Sequence, residues 1–391
     1  MKQYLFLVLF YIVGSVFSQN SEKTIVVKDI DTELPIEDVT ALVVRSNQIF
    51  LTNKDGEARF SLKGASNIQL THPLYESVIV RSLTLKDLKN IIFLKKSIND
   101  LDEIILTKQH PQKILKNLID NSTKLLTLPA RLKIYCREFF KFNGAYTYYN
   151  DGILNFQLSG NPTYVDTKIL VEQNRSIGVV DEATKDDLLG YNLNNIMENY
   201  YKFKYLLPLL EPSAKKEFNF LIKGYSSNKD YFLMTASPIA ENSKLQDDFS
   251  ILYDFKKKII IEVNTSIAPI SLSGNEKKQA TTPKKIYKSN FKTIYRFENS
   301  NYFLLSSKEE VGFEKKSKNA VTEIEVRNYF ITINFSNKGY TYKKGEVFMD
   351  QTLHNKKNHI LSNYWNTSGL KATDDEQLII DSITDKTPIP E

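Results

Sequence analysis

The feature that most constrains this chain is a two-residue rhythm of apolar and polar side chains. From Arg131 to Asn143 the residues Leu132, Ile134, Cys136, Glu138 and Phe140 share one parity. In the longest run, Glu323–Phe335, the apolar residues Tyr329, Ile331, Ile333 and Phe335 oppose Asn328, Thr332 and Asn334. Side chains alternate between the faces of a strand, so a period of two predicts β-structure and not helix. The split in that run predicts a sheet covered on one side only. Gly144 and Asn150-Asp151-Gly152 read as turns. Hairpins are expected between Phe218–Lys223 and Tyr231–Thr235, and between Phe249–Phe255 and Ile259–Val263, with Phe291–Phe297, Tyr302–Ser306 and Tyr340–Lys343 extending the series. Two helical stretches interrupt this pattern. Pro111 opens one that carries Ile114, Leu115, Leu118, Ile119 and Leu125 on a single stripe, and Asp186 to Leu210 reads as helical until Pro208.

Residues 22–97 keep the rhythm in shorter strokes. Strands are predicted at Thr24–Lys28, Val39–Val44, Ile49–Thr52, Ala58–Leu62, Ile68–Leu70, Val78–Val80 and Ile91–Leu94. Asn53-Lys54-Asp55-Gly56 forms a turn in which Gly56 is free to take positive φ. Short strands at this spacing predict a small antiparallel sandwich. The expected class is therefore mainly β: an N-terminal antiparallel β-sandwich, a connecting amphipathic helix, and a larger curved antiparallel sheet with one or two helices.

The first region also carries a resemblance. The series Asp31-Thr32-x-x-Pro35-Ile36-x-x-Val39, Thr52-Asn53-x-Asp55-Gly56-x-x-x-Phe60 and Leu70-x-His72-x-x-Tyr75 resembles the carboxypeptidase regulatory-like domain. That resemblance implies a transthyretin-like β-sandwich and a non-catalytic accessory role in Gram-negative envelope proteins. Its motif residues here are Pro35, Ile36, Asn53, Asp55, Gly56, Phe60, His72 and Tyr75. Leu74 departs from the family pattern, which usually has Gly before the Tyr. Leu101–Leu106 resembles the strand that often leaves this domain. Tyr135-Cys136-Arg137-Glu138 is similar to a Y-R-E strand that follows it in other envelope proteins. The meandering strands beyond look like the half-barrel of periplasmic lipoprotein carriers. The resulting division is 1–18 signal peptide, 22–97 sandwich, 98–130 connector strand and helix, 131–345 β-rich domain, and 346–391 C-terminal segment with a partly disordered tail.

The signal peptide is read from Lys2, the apolar run Tyr4–Val13 and the small residues before a cleavage point between Ser18 and Gln19. No cysteine follows that point until Cys136, which argues against a lipid anchor, and one thiol excludes an internal disulfide framework. No later run reaches the length of a membrane-spanning helix. The acidic C-terminal segment, with Pro388-Ile389-Pro390 before Glu391, lacks the terminal strand expected of an outer-membrane barrel. The formal charge of +6 is spread in small lysine groups beside strands, where it keeps edges soluble and forms no nucleic-acid stripe. The expected location is the periplasm, with secretion or outer-membrane association as alternatives.

Chemistry leaves little mark. None of His72, His110, His354 and His359 begins a His-x-x-Glu or His-Glu-x-x-His set, so no zinc site is expected. No Gly-x-Ser-x-Gly elbow and no phosphate-binding glycine loop occur. Asp29, Asp31 and Glu33 read as turn carboxylates, lacking the glycine and distal glutamate of a calcium loop. Neither catalytic, cofactor nor metal residues are assigned. Two residues merit watching. Cys136 is expected to be a buried, inert thiol. Glu138 shares an apolar face while Arg137 points the other way, so its carboxylate should be ion-paired with a neighbouring strand or carry a raised pKa. The expected function is a non-enzymatic exported protein whose β-rich domain binds an apolar ligand or a protein partner. The alternatives are an assembly factor docking on an outer-membrane complex, or a hydrolase with a dispersed site.

Overall fold

The structure is a computed structural model of the 391-residue chain. It describes residues 21–87, 89–97, 101–178, 193, 197–225, 228–239, 245–272, 284–316, 320–339, 341–349, 353, 356–361 and 369–386. The signal-peptide reading, with Ser18 and Gln19, lies outside the described residues, as do His354 and the tail from 387 onward. The chain divides into two compact units, Met1–Ser97 with Ser362–Asp375 and Ile98–Leu361 with Glu376–Glu391. Residues of the 346–391 segment are thus shared between both.

The first unit is two sheets around one core. β1 (Ser21–Asp29) lies between β4 (Glu57–Leu62) and β7 (Lys89–Leu94), and the second sheet runs β3 (Gln48–Leu51), β2 (Thr40–Val43), β5 (Asn67–His72), β6 (Tyr75–Arg81). Ile25, Val27, Ile36, Val39, Phe50, Phe60, Ile68 and Leu70 fill the space between. One pair departs from the antiparallel expectation: β7 runs parallel to β1. The later segment adds to this unit, with Leu51 N–H donating to the Gly369 carbonyl and Lys371 paired with Glu57.

The residues of the regulatory-like motif work locally here. Gly56 has φ +71°, and a Cβ there would collide with the Val27 carbonyl oxygen. The Asn53 side chain closes the turn by accepting from Asp55 N–H (3.0 Å) and Glu57 N–H (2.9 Å). Asp55 completes that turn. Pro35 bridges Lys28, and Ile36 and Phe60 enter the core. His72 Nδ1 accepts from Leu74 N–H, and Tyr75 donates to Asp29. Asp29 itself accepts from Asp31 and Thr32 N–H, the turn role expected of it.

The second unit is built on an eleven-stranded sheet. Its strands are β8 (Leu101–Ile104), β9 (Ala130–Phe142), β10 (Ala145–Asn161), β11 (Tyr164–Gly178), β12 (Phe218–Tyr225), β13 (Asn228–Pro238), β14 (Asp247–Asp254), β15 (Ile259–Ile267), β16 (Lys284–Glu298), β17 (Asn301–Lys316) and β18 (Val321–Ser336). Their order is β11-β10-β9-β18-β17-β16-β15-β14-β13-β12-β8, so the last strand closes against the first long one. The outer edge of β11 is blunted by a later segment. Phe348 N–H donates to Ile169 O, Asn174 and His359 exchange backbone bonds, and the Asn358 side chain bonds both backbone groups of Ser176. The helix predicted from Pro111 is α1 (Pro111–Leu125), and the acidic segment forms α2 (Asp374–Lys386). Pro208 sits inside a 3₁₀ helix, Lys204–Leu210.

Two expectations need correction. Asn150-Asp151-Gly152 is no turn: it lies in the middle of the 17-residue β10, with Asn150 and Asp151 fully buried. Nor is the sheet one-sided at β18. Asn328 and Thr332 are as buried as Tyr329 and Ile331, because neighbouring groups cover both faces. Thr332 Oγ1 meets its bonding need internally, donating to the Leu304 carbonyl (2.7 Å).

Candidate functional site

Strand register places polar residues in rows across the sheet. Glu309 on β17 pairs with Asn328 on β18, Asn328 with Glu138 on β9, Glu138 with Asn150 on β10, and Asn150 with Ser176 on β11. Directly paired residues share a face, so these five side chains form one line. Beside it runs a second line on the same face: Ser307, Phe330, Cys136, Gly152 and Asn174. Beyond the first line lie Val311, Val326, Phe140 and Tyr148, part of an apolar cluster with Phe313 and Ile324.

Two other elements meet this face. The Tyr205 hydroxyl, from the 3₁₀ helix, bonds Thr293 Oγ1 (2.8 Å), and Thr293 pairs with Ser307. At the other end Leu353 packs on Gly152: a Cβ there would lie 2.9 Å from both Leu353 Cδ1 and the Gln173 carbonyl oxygen. Gly152 therefore serves close approach, not a turn.

The polar atoms of this face are incompletely satisfied. Asn150 Nδ2 donates to Glu138 Oε2, but Glu138 Oε1, Asn150 Oδ1, Asn328 Oδ1, Ser307 Oγ and Asn174 Oδ1 are buried without a hydrogen-bond partner. Burial pushes the Glu138 carboxyl up to about 7, against the smaller opposing effect of the Asn150 bond. Burial also pushes half-buried Glu309 up to about 8; Asn328 opposes this and the Glu138 charge adds to it. No Lys or Arg lowers either value. The ion pair expected for Glu138 is thus replaced by an amide bond and a raised pKa. Cys136 lies buried between Glu138 and Ile134, its thiol donating to the Gly152 carbonyl and pushed well up by burial.

The ion pair occurs on the opposite face. There the matching row is Lys308, Tyr329, Arg137, Asp151 and Arg175, each one residue from its counterpart. Arg137, 1% exposed, donates to Glu376 Oε2 of α2 (3.0 Å) and to the Tyr135 hydroxyl (3.0 Å). Glu376 Oε1 accepts from Tyr329 (2.9 Å) and Arg327 (3.3 Å). Asp151 accepts from Tyr149 and from Arg175 through both its oxygens. This row is a closed network holding α2 on the sheet.

The sequence reading found Glu138 and Cys136 but missed Glu309, Asn328 and Asn150. Asn328 was assigned to a solvent face and Asn150 to a turn. Polar residues of both parities in β9 and β18 are the signal that both faces are buried.

No family model matches the chain, and no curated protein matches it. Among solved structures, a lipovitellin chain described under lipid–protein interactions aligns at 10% identity over 60% of this chain and 28% of that one, with a TM-score of 0.25. MucB, in complex with MucA(peri), aligns at 8% identity over 58% of this chain and 98% of that one, with a TM-score of 0.19. Scores this low carry no inference. The resemblance to the regulatory-like domain therefore rests on the motif residues of the first unit. Among the described residues no helix is long and apolar enough to cross a membrane, and no group of three or more His, Cys, Asp or Glu side chains could hold a metal.

Proposed function

We propose that the chain is a non-enzymatic binding protein of the cell envelope whose second unit takes a ligand with an apolar body on the Glu138 face. One observation carries this reading: six buried oxygen atoms without partners, Ser176 Oγ included, stand on the face of Phe140, Val326, Phe330 and Cys136. A buried polar group left unbonded costs about 1–3 kcal/mol. Native proteins keep such groups where a ligand or an ordered water completes them. An apolar surface with a few convergent polar groups is the usual make-up of a small-molecule site. The first unit serves as an accessory module, in keeping with its turn-and-core use of every motif residue. The leader-like residues 1–18 support residence in the envelope, and N-terminal sequencing of exported protein should then begin at Gln19.

The test uses delipidated full-length protein and an uncharged apolar fluorophore, N-phenyl-1-naphthylamine. Saturable uptake near one equivalent is expected, with slower thiol labelling of Cys136 in the saturated protein. Uptake without saturation, or labelling of Cys136 at an unchanged rate, overturns the reading.

A further inference from the structure

The unpartnered oxygen atoms of the Glu138 face share one property: each can accept a hydrogen bond. Glu138 Oε1, Asn150 Oδ1, Asn328 Oδ1 and Asn174 Oδ1 are carboxylate or amide oxygens, and Ser307 Oγ can accept as well. The charges point the same way. Within one step of the Glu138 row on this face stand Val326, Asn328 and Phe330 on β18, Cys136, Glu138 and Phe140 on β9, Tyr148, Asn150 and Gly152 on β10, and Ser307, Glu309 and Val311 on β17. That stretch holds two carboxyls and no Lys or Arg, whereas Arg137, Arg175, Arg327 and Lys308 all project from the opposite face. A buried carboxylate calls for a cation or for a proton. Among the described residues these strands place no cation on this stretch of the face, although they supply four on the other side.

Resting on the binding reading above, we propose that this face recognises a primary ammonium group carried on an apolar body, with Glu138, Asn328 and Asn150 as its hydrogen-bond acceptors and the Glu309 carboxyl as a second nearby charge. A primary ammonium offers three donors to three oxygen atoms that are left without partners, Glu138 Oε1, Asn150 Oδ1 and Asn328 Oδ1. A quaternary ammonium carries the charge but no donor, and an alcohol carries a donor but no charge. Proton linkage follows. Among the described residues, the titratable groups on this face or on elements packed against it are Glu138, Glu309, Tyr148 and Cys136 from the sheet, Tyr205 from the 3₁₀ helix, and Lys356 and His359 from the segment that begins at Leu353. Burial holds Tyr148, Tyr205 and Cys136 in their neutral forms through neutral pH. Of the groups on the sheet and the 3₁₀ helix, the two carboxyls are the ones raised into this range, to about 7 and about 8. Below this range they are protonated and the attraction is lost, so ammonium affinity rises from pH 5.5 to 8.5.

The experiment is calorimetric titration of the full chain with four twelve-carbon amphiphiles: dodecylamine, dodecyltrimethylammonium, dodecanol and dodecanoate. Lysophosphatidylethanolamine and lysophosphatidylcholine form a second arm that separates a lipid headgroup from a free amine. Dodecylamine should bind at least about tenfold tighter than the other three at pH 8.5, the discrimination a charge-assisted hydrogen bond provides. Glu138→Gln should weaken that preference and leave only the pH dependence of Glu309, with an unchanged near-UV circular dichroism spectrum as the control for folding. In the lipid arm, preference for the ethanolamine head extends the site to lipids, and its absence confines it to free amines. Equal binding of all four twelve-carbon amphiphiles overturns the ammonium assignment and leaves the apolar-ligand reading standing. No binding of any amphiphile overturns both.

Discussion

Strands β11, β10, β9, β18 and β17 carry a polar row on each face, one residue apart, and the two rows solve burial in opposite ways. The Arg137 row is closed: Arg137, Asp151, Arg175, Tyr329 and Glu376 meet opposite charges or hydroxyls at 2.6–3.3 Å. The Glu138 row is open: it has carboxyls and amides, raised carboxyl pKa values and oxygens without partners. Both rows are equally deep, so depth does not separate them. Complementarity does. A row that satisfies itself holds structure together, whereas a row that does not leaves acceptors for an ordered water or a ligand to complete.

The comparison breaks most visibly at its strongest point. Replacing Arg137 by Ala takes the charged donor from Glu376 Oε2 and leaves Oε1 with Tyr329 and Arg327; losing half of a buried pair costs up to about 3–5 kcal/mol. Urea unfolding of Arg137→Ala should show that loss. A loss near zero would mean that the network contributes nothing and that the two rows do not differ in kind.

The open row should respond to pH where the closed row does not. The Glu138 carboxyl has a folded-state pKa raised from 4.5 to about 7, so folding favours its protonated form. Its stabilising contribution is therefore present in full below pH about 4.5 and is lost as pH rises through about 7. Glu309 has the same sign and extends the window to about 8. The wild-type protein should lose on the order of 2–3 kcal/mol from Glu138 between pH 5 and 8.5, and Glu138→Gln should be flatter by that amount. Stability that rises over the same interval in the wild type and not in the variant would reverse the assignment. The first unit has the opposite sign. Burial raises the Glu57 carboxyl, but Lys371 and Lys89 outweigh it and hold it low. Its contribution is lost as pH falls.

How much of this was legible in the sequence depends on which face carries the information. The two-residue rhythm was enough for strands, for the hairpins 218–238 and 249–263 and for the mainly β class, because alternation follows directly from strand geometry. The rhythm failed where both faces are buried. Asn150-Asp151-Gly152 has the composition of a hairpin turn, yet each residue has a reason to sit inside a strand: a bond to Glu138, a pair with Arg175, and close packing of Leu353. Asn328 looked solvent-facing because polar side chains usually are. Glu376, 239 residues from Arg137, could not be paired with it by any local pattern.

Gly152 gives a smaller test, placed where the two rows share a backbone. An added methyl would meet the Gln173 carbonyl and Leu353 Cδ1, each at 2.9 Å. Leu353 can rotate, but the Gln173 carbonyl belongs to the adjacent strand and moves only if the ladder does. Gly152→Ala should therefore destabilise by about 1–3 kcal/mol, as overpacking does. The shift should also displace Leu353 from the Glu138 face, so thiol labelling of Cys136, Gly152's register partner, should quicken severalfold. The Arg137 network contacts neither Leu353 nor that side of β10. If labelling stays at the wild-type rate while stability falls, the disturbance passes through the closed row instead, and the two faces are coupled rather than independent.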